Sequence, residues 1–349
     1  MEPITLGPLV IRPFGLAFAA MLVPFFFFTA RGMRRRGLRE GTASWFAVLC
    51  IPLSFVLARL GFCLLLTDEF LGSGDYLRIF RFSEGGFLLW GGIGGMLLAA
   101  KLTGKITKQD GGLAADAAVI PACLFIAALR LLCGLMFSDM GIGMPLESWF
   151  DPEEADFTFR FSLWRLEDWS FFERFPFAVM NYYEEWCWAV FVPQSLWAGA
   201  CALLTRRPAA APGGRTARFL ILFSCGSIVL ESMLKGGEIM HLPWLAFVKA
   251  NQILCAVALL CVAIVCVRRL EKGRRLRSAL VFFAQFFAVI GVIIALEFAA
   301  FEKKIALLQW LPADGCHLIM IALCVWMALA FRPLWKKAYG TESPRGNNA

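Results

Sequence analysis

The chain has 349 residues, 59% of them hydrophobic and 17% charged, with a formal net charge of +8 and a mean hydropathy of +0.68. A soluble domain is nearer 45–50% apolar and about one quarter charged. A soluble α/β enzyme, a disordered chain and a collagen-like chain are therefore excluded. The apolar residues come in long blocks, so lipid is the solvent. The excess cations then bear on membrane sidedness, and no nucleic-acid partner is expected.

A membrane-spanning helix needs about 20 mostly apolar residues. In chain order, the stretches that fit are 9–30, 43–66, 86–104, 114–137, 187–204, 217–236, 248–267, 278–300 and 315–331. The first has no basic segment before it and RGMRRRGLR after it, the reverse of a signal peptide. The third is rich in glycine, and the sixth carries charge near one end. KLTGKITK, TRRPAAAPGGRTAR and RRLEKGRRLR follow the third, fifth and seventh stretches, and the tail adds Arg332, Lys336, Lys337 and Arg345. These basic segments all fall on one side. TDEFLGSGD, the DPEEAD segment and GGE fall on the other. The positive-inside rule then places the N-terminus outside and the C-terminus in the cytoplasm, as an odd number of spans requires.

The sequence thus predicts an all-α polytopic membrane protein of about nine transmembrane helices. Seven spans form a membrane core over 1–276, and a small extracytoplasmic head, 138–186, sits between spans four and five. Two additional C-terminal spans cover 277–333, and a cytoplasmic tail covers 334–349. The head is acidic and aromatic, with Trp149, Trp164, Trp169, Phe171 and Phe172, as suits the lipid interface.

Twelve cysteines are present, but no C-x-x-C pair, and the histidines are His241 and His317 alone. Most of the cysteines lie inside apolar runs, where they read as small lipid-compatible residues. Neither a disulfide framework nor a zinc site is expected, and no metal or cofactor is implied.

Ionisable residues inside spans cost about 2.5–3.5 kcal/mol each on insertion scales and are functional candidates by default. At 1.5 Å per residue, Arg59 and Arg130 lie about 24 Å from the cytoplasmic ends of their spans, and Glu231 about 21 Å. The hydrocarbon core is about 30 Å thick, so all three share one level in the outer half. Glu84 and Glu184 enter from the outer face, and Lys235 lies one turn beyond Glu231. Snorkelling of residues near helix ends is one reading of each. The other is a polar cavity open to the outer leaflet. Its arginines would grip a lipid phosphate bidentately, and its glutamates would serve as acid or base. Asp116, near the inner face, reads as a cap or loop partner, and Glu297, in span eight, as interfacial. The run EGGFLLWGGIGG opens span three with Gly85, Gly86, Gly91, Gly92, Gly94 and Gly95. It reads either as tight helix packing or as backbone lining a ligand.

Several short segments together resemble the prolipoprotein diacylglyceryl transferases. They are LGPLVIRPFGL (6–16), ARLGF (58–62), RFSEGGFLLWGG (81–92), the Asp116–Pro121 stretch and Arg130 followed by Gly141. NYYEE (181–185), Glu231 within SIVLESMLK and NQIL (251–254) continue the pattern in the family's order. The resemblance covers roughly residues 5–268 and carries the family topology. It implies a multi-pass protein of the cytoplasmic (inner) cell membrane. It implies transfer of the diacylglyceryl group of phosphatidylglycerol, or of another anionic phospholipid, to the cysteine thiol of a prolipoprotein lipobox peptide. By this resemblance Arg130, Glu184 and Glu231 are the catalytic residues. Arg59, Arg81, Glu84, Gly85, Gly86, Gly91, Gly92 and Lys235 bind substrate.

The chain also departs from the family. The family's His-Gly-Gly is Trp90-Gly91-Gly92 here, and tryptophan takes no proton. Arg130 is kept, but the asparagines that follow it in the family are lost, with Asp139 one place beyond the family's acid. Phe14 stands for a tyrosine, and Ser227 for an arginine four residues before Glu231. Two alternatives therefore stay open. One is a non-catalytic or substrate-shifted homologue that binds lipid or lipoprotein. The other is an unrelated transporter, which would show internal repeats and polar groups at the midplane. No such repeat joins the halves.

Overall fold

The computed structural model describes residues 4–6, 9–11, 13–65, 79–81, 86–137, 140–150, 168–235, 249–270, 272–301 and 311–340. Glu84, Gly85, Asp139 and His241 lie outside the described residues. The chain is mostly helical. The long helices are α1 (Pro13–Arg35), α2 (Thr42–Leu65), α3 (Leu89–Thr107) and α4 (Gly111–Met136). After the short α5 (Leu146–Phe150) come α6 (Phe191–Leu204), α7 (Gly214–Ser232), α8 (Ala250–Arg268), α9 (Lys272–Phe301) and α10 (Ala313–Tyr339).

Local chemistry explains several of the helix ends. Pro13 opens α1, where its fixed φ fits and its missing N–H costs nothing. Arg34 and Arg35 close α1 at the negative end of the helix dipole. Asp110 caps α4 by accepting the Gly112 N–H at 2.7 Å. Asp116 caps α7 from α4. Its carboxylate accepts from the Gly213 N–H at 3.0 Å, the Thr216 N–H at 2.8 Å and the Thr216 hydroxyl at 2.7 Å.

Every apolar stretch singled out by hydropathy overlaps one of these long helices. Among the described residues, six helical segments are long and apolar enough to cross a membrane: α1, α2, α4, α8, Ala279–Ala299 within α9, and α10. The chain is a multi-pass membrane protein. Of the rest, α6 has 14 residues, a rise of about 21 Å, short of a 30 Å hydrocarbon core.

The all-α expectation is incomplete. Two small antiparallel sheets are present, β1 (Ile4–Leu6) with β2 (Leu9–Ile11), and β3 (Ala178–Met180) with β4 (Trp186–Trp188). The stretch expected to begin span five at 187 is therefore strand at first, and helix starts only at Phe191. The C-terminal end of the sixth stretch also leaves the helix after Ser232. Leu234 bridges Gly143, and Pro145 bridges Cys187. Strand β4, the 143–145 segment and Leu234 thus lie side by side, fastening the head to the end of α7. At the other end of the chain, α10 continues past residue 333 to Tyr339.

Three apolar clusters hold the helices together. One joins α1, α2, α3 and α4, with Phe46 and Ala118 at its centre. The second joins α3, α4, α6 and α7. The third joins α7, α8, α9 and α10. The α2–α3 contact depends on glycine. A Cβ at Gly91 would sit 2.3 Å from the Leu57 carbonyl oxygen, and one at Gly95 would sit 2.3 Å from the Ser54 Cα. Gly92 faces open space.

Candidate functional site

Arg130 on α4 and Glu231 on α7 meet in an ion pair, Nη2 to Oε1, at 3.1 Å. The Glu231 side chain is 4% exposed and that of Arg130 is 25% exposed, so the pair is buried on one side and open on the other. Two amides complete the carboxylate's shell. Gln194 Nε2, from α6, donates to Oε1 at 3.2 Å. Asn251 Nδ2, from the start of α8, donates to Oε2 at 3.2 Å. Their own carbonyl oxygens, Gln194 Oε1 and Asn251 Oδ1, are buried with no hydrogen-bond partner among the described residues. An unfilled buried acceptor costs about 1–3 kcal/mol and marks a place for a donor. Arg130, Gln194, Phe223, Ser227, Leu230 and Glu231 enclose a cavity of about 10 Å³, the size of one water.

Arg59 is placed differently. It is 2% exposed. Its guanidinium donates to the carbonyls of Ile79 at 3.2 Å, Arg81 at 3.2 Å and Gly86 at 3.3 Å. It therefore clamps the backbone that leads into α3. Gly86 in this segment has φ +75°, and a Cβ there would sit 2.3 Å from Phe62. Only glycine fits. Arg81 contributes its backbone carbonyl to this clamp, and its side chain is exposed.

The NYYEE segment forms the tip of the β3–β4 hairpin. The Asn181 side-chain oxygen accepts from the backbone N–H groups of Tyr183 and Glu185, each at 2.9 Å. Glu184 is exposed and left-handed at φ 63°. Glu185, not Glu184, binds Lys235, at 3.1 Å. The Asn181 amide and the Lys235 ammonium both hold the Glu185 carboxyl below its ordinary pKa. Lys235 thus fastens the hairpin tip to the chain just past Glu231.

The structure brings Arg130 and Glu231 together. It gathers Arg59, Arg81 and Gly86 separately, and Lys235 with Glu185 in a third place. Trp90 lies near the first group, with its ring centroid 5.8 Å from that of Phe223, which lines the Arg130 cavity. An indole one ring away from the ion pair has no nitrogen able to accept a proton.

Sequence reasoning missed Gln194, Lys249, Asn251, Gln252, Ser232 and His317 as site neighbours. Glu297, expected at the interface, is buried at 3% exposure and accepts a hydrogen bond from Gln252 Nε2. A polar run, Lys249-Ala250-Asn251-Gln252, at the head of an apolar helix was the available signal.

Comparison with known proteins bears on the same residues. The family model described as prolipoprotein diacylglyceryl transferase matches residues 3–268. A protein of Halalkalibacterium halodurans called phosphatidylglycerol–prolipoprotein diacylglyceryl transferase is 32% identical over 101 residues. That match covers 29% of this chain and 34% of the relative, so it spans about one third of the relative's length.

Proposed function

Because the chain belongs to the prolipoprotein diacylglyceryl transferase family, we propose that it transfers diacylglyceryl from phosphatidylglycerol to a lipoprotein cysteine thiol. The transfer takes place at the outer leaflet of the cytoplasmic membrane, in a nine-span topology with the N-terminus outside. The observation that carries this reading is the Arg130–Glu231 pair with two unfilled acceptors beside it. Arg130 has a fork suited to a phosphate. Gln194 Oε1 and Asn251 Oδ1 accept hydroxyl protons, which the glycerol headgroup of phosphatidylglycerol supplies. The cavity has room for about one water, so lipid entry requires these side chains to part.

In the reaction the thiol sulfur attacks the glyceryl carbon that bears the phosphate. The carbon–oxygen bond breaks, and glycerol phosphate leaves with the bonding pair. Glu231 takes the thiol proton, and Arg130 stabilises charge on the departing phosphate. Arg59 supports the site indirectly, by holding the entry to α3. Gly91 lets α3 lie against α2, and Gly92 faces open space where an acyl chain fits. Glu184 and the Glu185–Lys235 pair stand at the outer lip, where the acceptor peptide approaches. Arg81, with Glu84 and Gly85 a few residues on in sequence, is proposed to contact substrate as well.

A second reading is binding of lipid or lipoprotein without transfer. Trp90 favours it, because the family's histidine position holds no base. The test uses purified full-length protein in detergent, labelled phosphatidylglycerol and a lipobox peptide. Transfer reduced at least 100-fold in Arg130→Ala supports the enzyme reading. Lipid retained without transfer supports the second reading. Absence of both overturns the two together.

A further inference from the structure

The helices α9 and α10 lie beyond residue 268, where the family match ends. Each nevertheless adds one polar side chain to a hydrogen-bonded network around the end of the helix that carries Glu231. On α9, Glu297 accepts from Gln252 Nε2. The same amide nitrogen donates to the Ile228 carbonyl of α7 at 3.1 Å, and Gln252 Oε1 accepts the Lys249 N–H at 3.2 Å. Lys249 Nζ then donates to the carbonyl of Glu231 at 2.7 Å, of Ser232 at 3.5 Å, and of Leu234. These carbonyls cluster at the C-terminal end of α7, where a cation also meets the negative end of the helix dipole.

On α10, His317 Nε2 is hydrogen-bonded to the Ser232 hydroxyl at 2.9 Å. Its ring stacks on Trp149 of α5 at 6.2 Å between centroids and 24° between planes. His317 therefore touches the head on one side and α7 on the other.

Packing alone does not account for these choices. The surroundings are the apolar cluster of α7, α8, α9 and α10. A leucine at 297 would join that cluster without the desolvation cost of a carboxylate. We infer that Glu297 and His317 are positioning residues, through which the C-terminal helix pair fixes the end of α7, and with it Glu231 and the head. The structural part stands alone; its effect on transfer rests on the reading under Proposed function.

The test is amide hydrogen exchange on the full-length protein in detergent. Glu297→Leu removes both acceptor and charge. It is expected to raise exchange across 228–235 about tenfold while α1 and α2 keep wild-type rates. Glu297→Gln keeps an acceptor and is expected to stay within about threefold of wild type. His317→Phe keeps the stack but loses the Ser232 bond, and raises exchange at 228–235. His317→Gln keeps a donor for Ser232, spares 228–235 and instead raises exchange at 140–150. Where the wild type transfers lipid, kcat falls about tenfold in Glu297→Leu with the peptide KM unchanged.

Unchanged exchange at 228–235 in both Glu297→Leu and His317→Phe overturns the inference. So does an equal rise across α1 and α2, which would mean general loss of stability. A wild type without transfer would refute the proposed activity, and the exchange pattern would still decide this inference.

Discussion

Two arginines at one depth behave as opposites. Arg59 and Arg130 lie about equally far into their helices, and depth alone makes each a phosphate ligand. In the structure Arg59 is sealed in and donates to three backbone carbonyls. Arg130 is partly open and faces a carboxylate flanked by two unfilled acceptors. The cost of burying a guanidinium is offset in both cases, but by different partners. Backbone partners make the arginine a structural clamp. On the proposed reading, an incompletely satisfied side-chain cluster makes it a site. Where the hydrogen bonds go, rather than how deep the charge lies, separates the two roles.

Lysine substitutions sharpen that contrast most. Arg130→Lys keeps the charge but loses the fork. Transfer is expected to fall about 10- to 100-fold, with thermal unfolding in detergent little changed. Arg59→Lys leaves backbone carbonyls unfilled, which costs about 2–3 kcal/mol. Here the unfolding temperature falls, while the fraction that stays folded transfers at near wild-type kcat. The reverse pattern would exchange the two roles.

The glycines of α3 give a smaller effect of the same kind. Gly91→Ala forces a Cβ against the Leu57 carbonyl and is expected to cost about 1–3 kcal/mol of overpacking. Gly92→Ala meets nothing and is expected to stay within about 0.5 kcal/mol of wild type. A phosphatidylglycerol analogue with a bulky acyl chain distinguishes Gly92→Ala from wild type only if that open face receives lipid.

The smallest effect belongs to the exposed pair at the β3–β4 hairpin tip. Glu185 is held below its ordinary pKa of 4.5 by Asn181 and Lys235. Its contribution is therefore present above about pH 4.5 and is lost as pH falls through the lowered value. Exposed pairs contribute at most about 1 kcal/mol. Comparing unfolding temperatures of wild type and Lys235→Ala should show a small gap at pH 7 that closes as the pH falls below 4.5 and through the lowered value. A gap that widens in acid would remove the pair from the account.

Much of the architecture was legible in the sequence, because blocks of apolar residues announce helices in lipid. The errors fall where the hydropathy signal says nothing of hydrogen bonding. Residues 186–188, Trp-Cys-Trp, are as apolar as a span yet form a strand, because the 143–145 segment and β3 supply its partners. Arg130 and Glu231 were visible as charges in apolar runs. Gln194 was not, since a single amide in a span has no periodic signature, and Asn251 stood only within the NQIL segment, with nothing to mark it as a partner of Glu231. The role of Arg59 was hidden for another reason: carbonyls of Ile79, Arg81 and Gly86 leave no mark on residue identity. Glu297 was visible as a charge but was assigned to the interface, because sequence gives depth along a helix without saying which side faces protein.

The central claim is that lipid phosphate is held at Arg130 and not at Arg59. Photo-crosslinking with a phosphatidylglycerol that carries its reactive group on the glycerol headgroup tests this most directly, followed by peptide mapping of the full-length protein. The account predicts labelling on α4 near Arg130 and on α7 near Ser227 and Glu231, abolished in Arg130→Ala. Labelling confined to α2 near Arg59 and the 79–86 segment, and unaffected by Arg130→Ala, would contradict it.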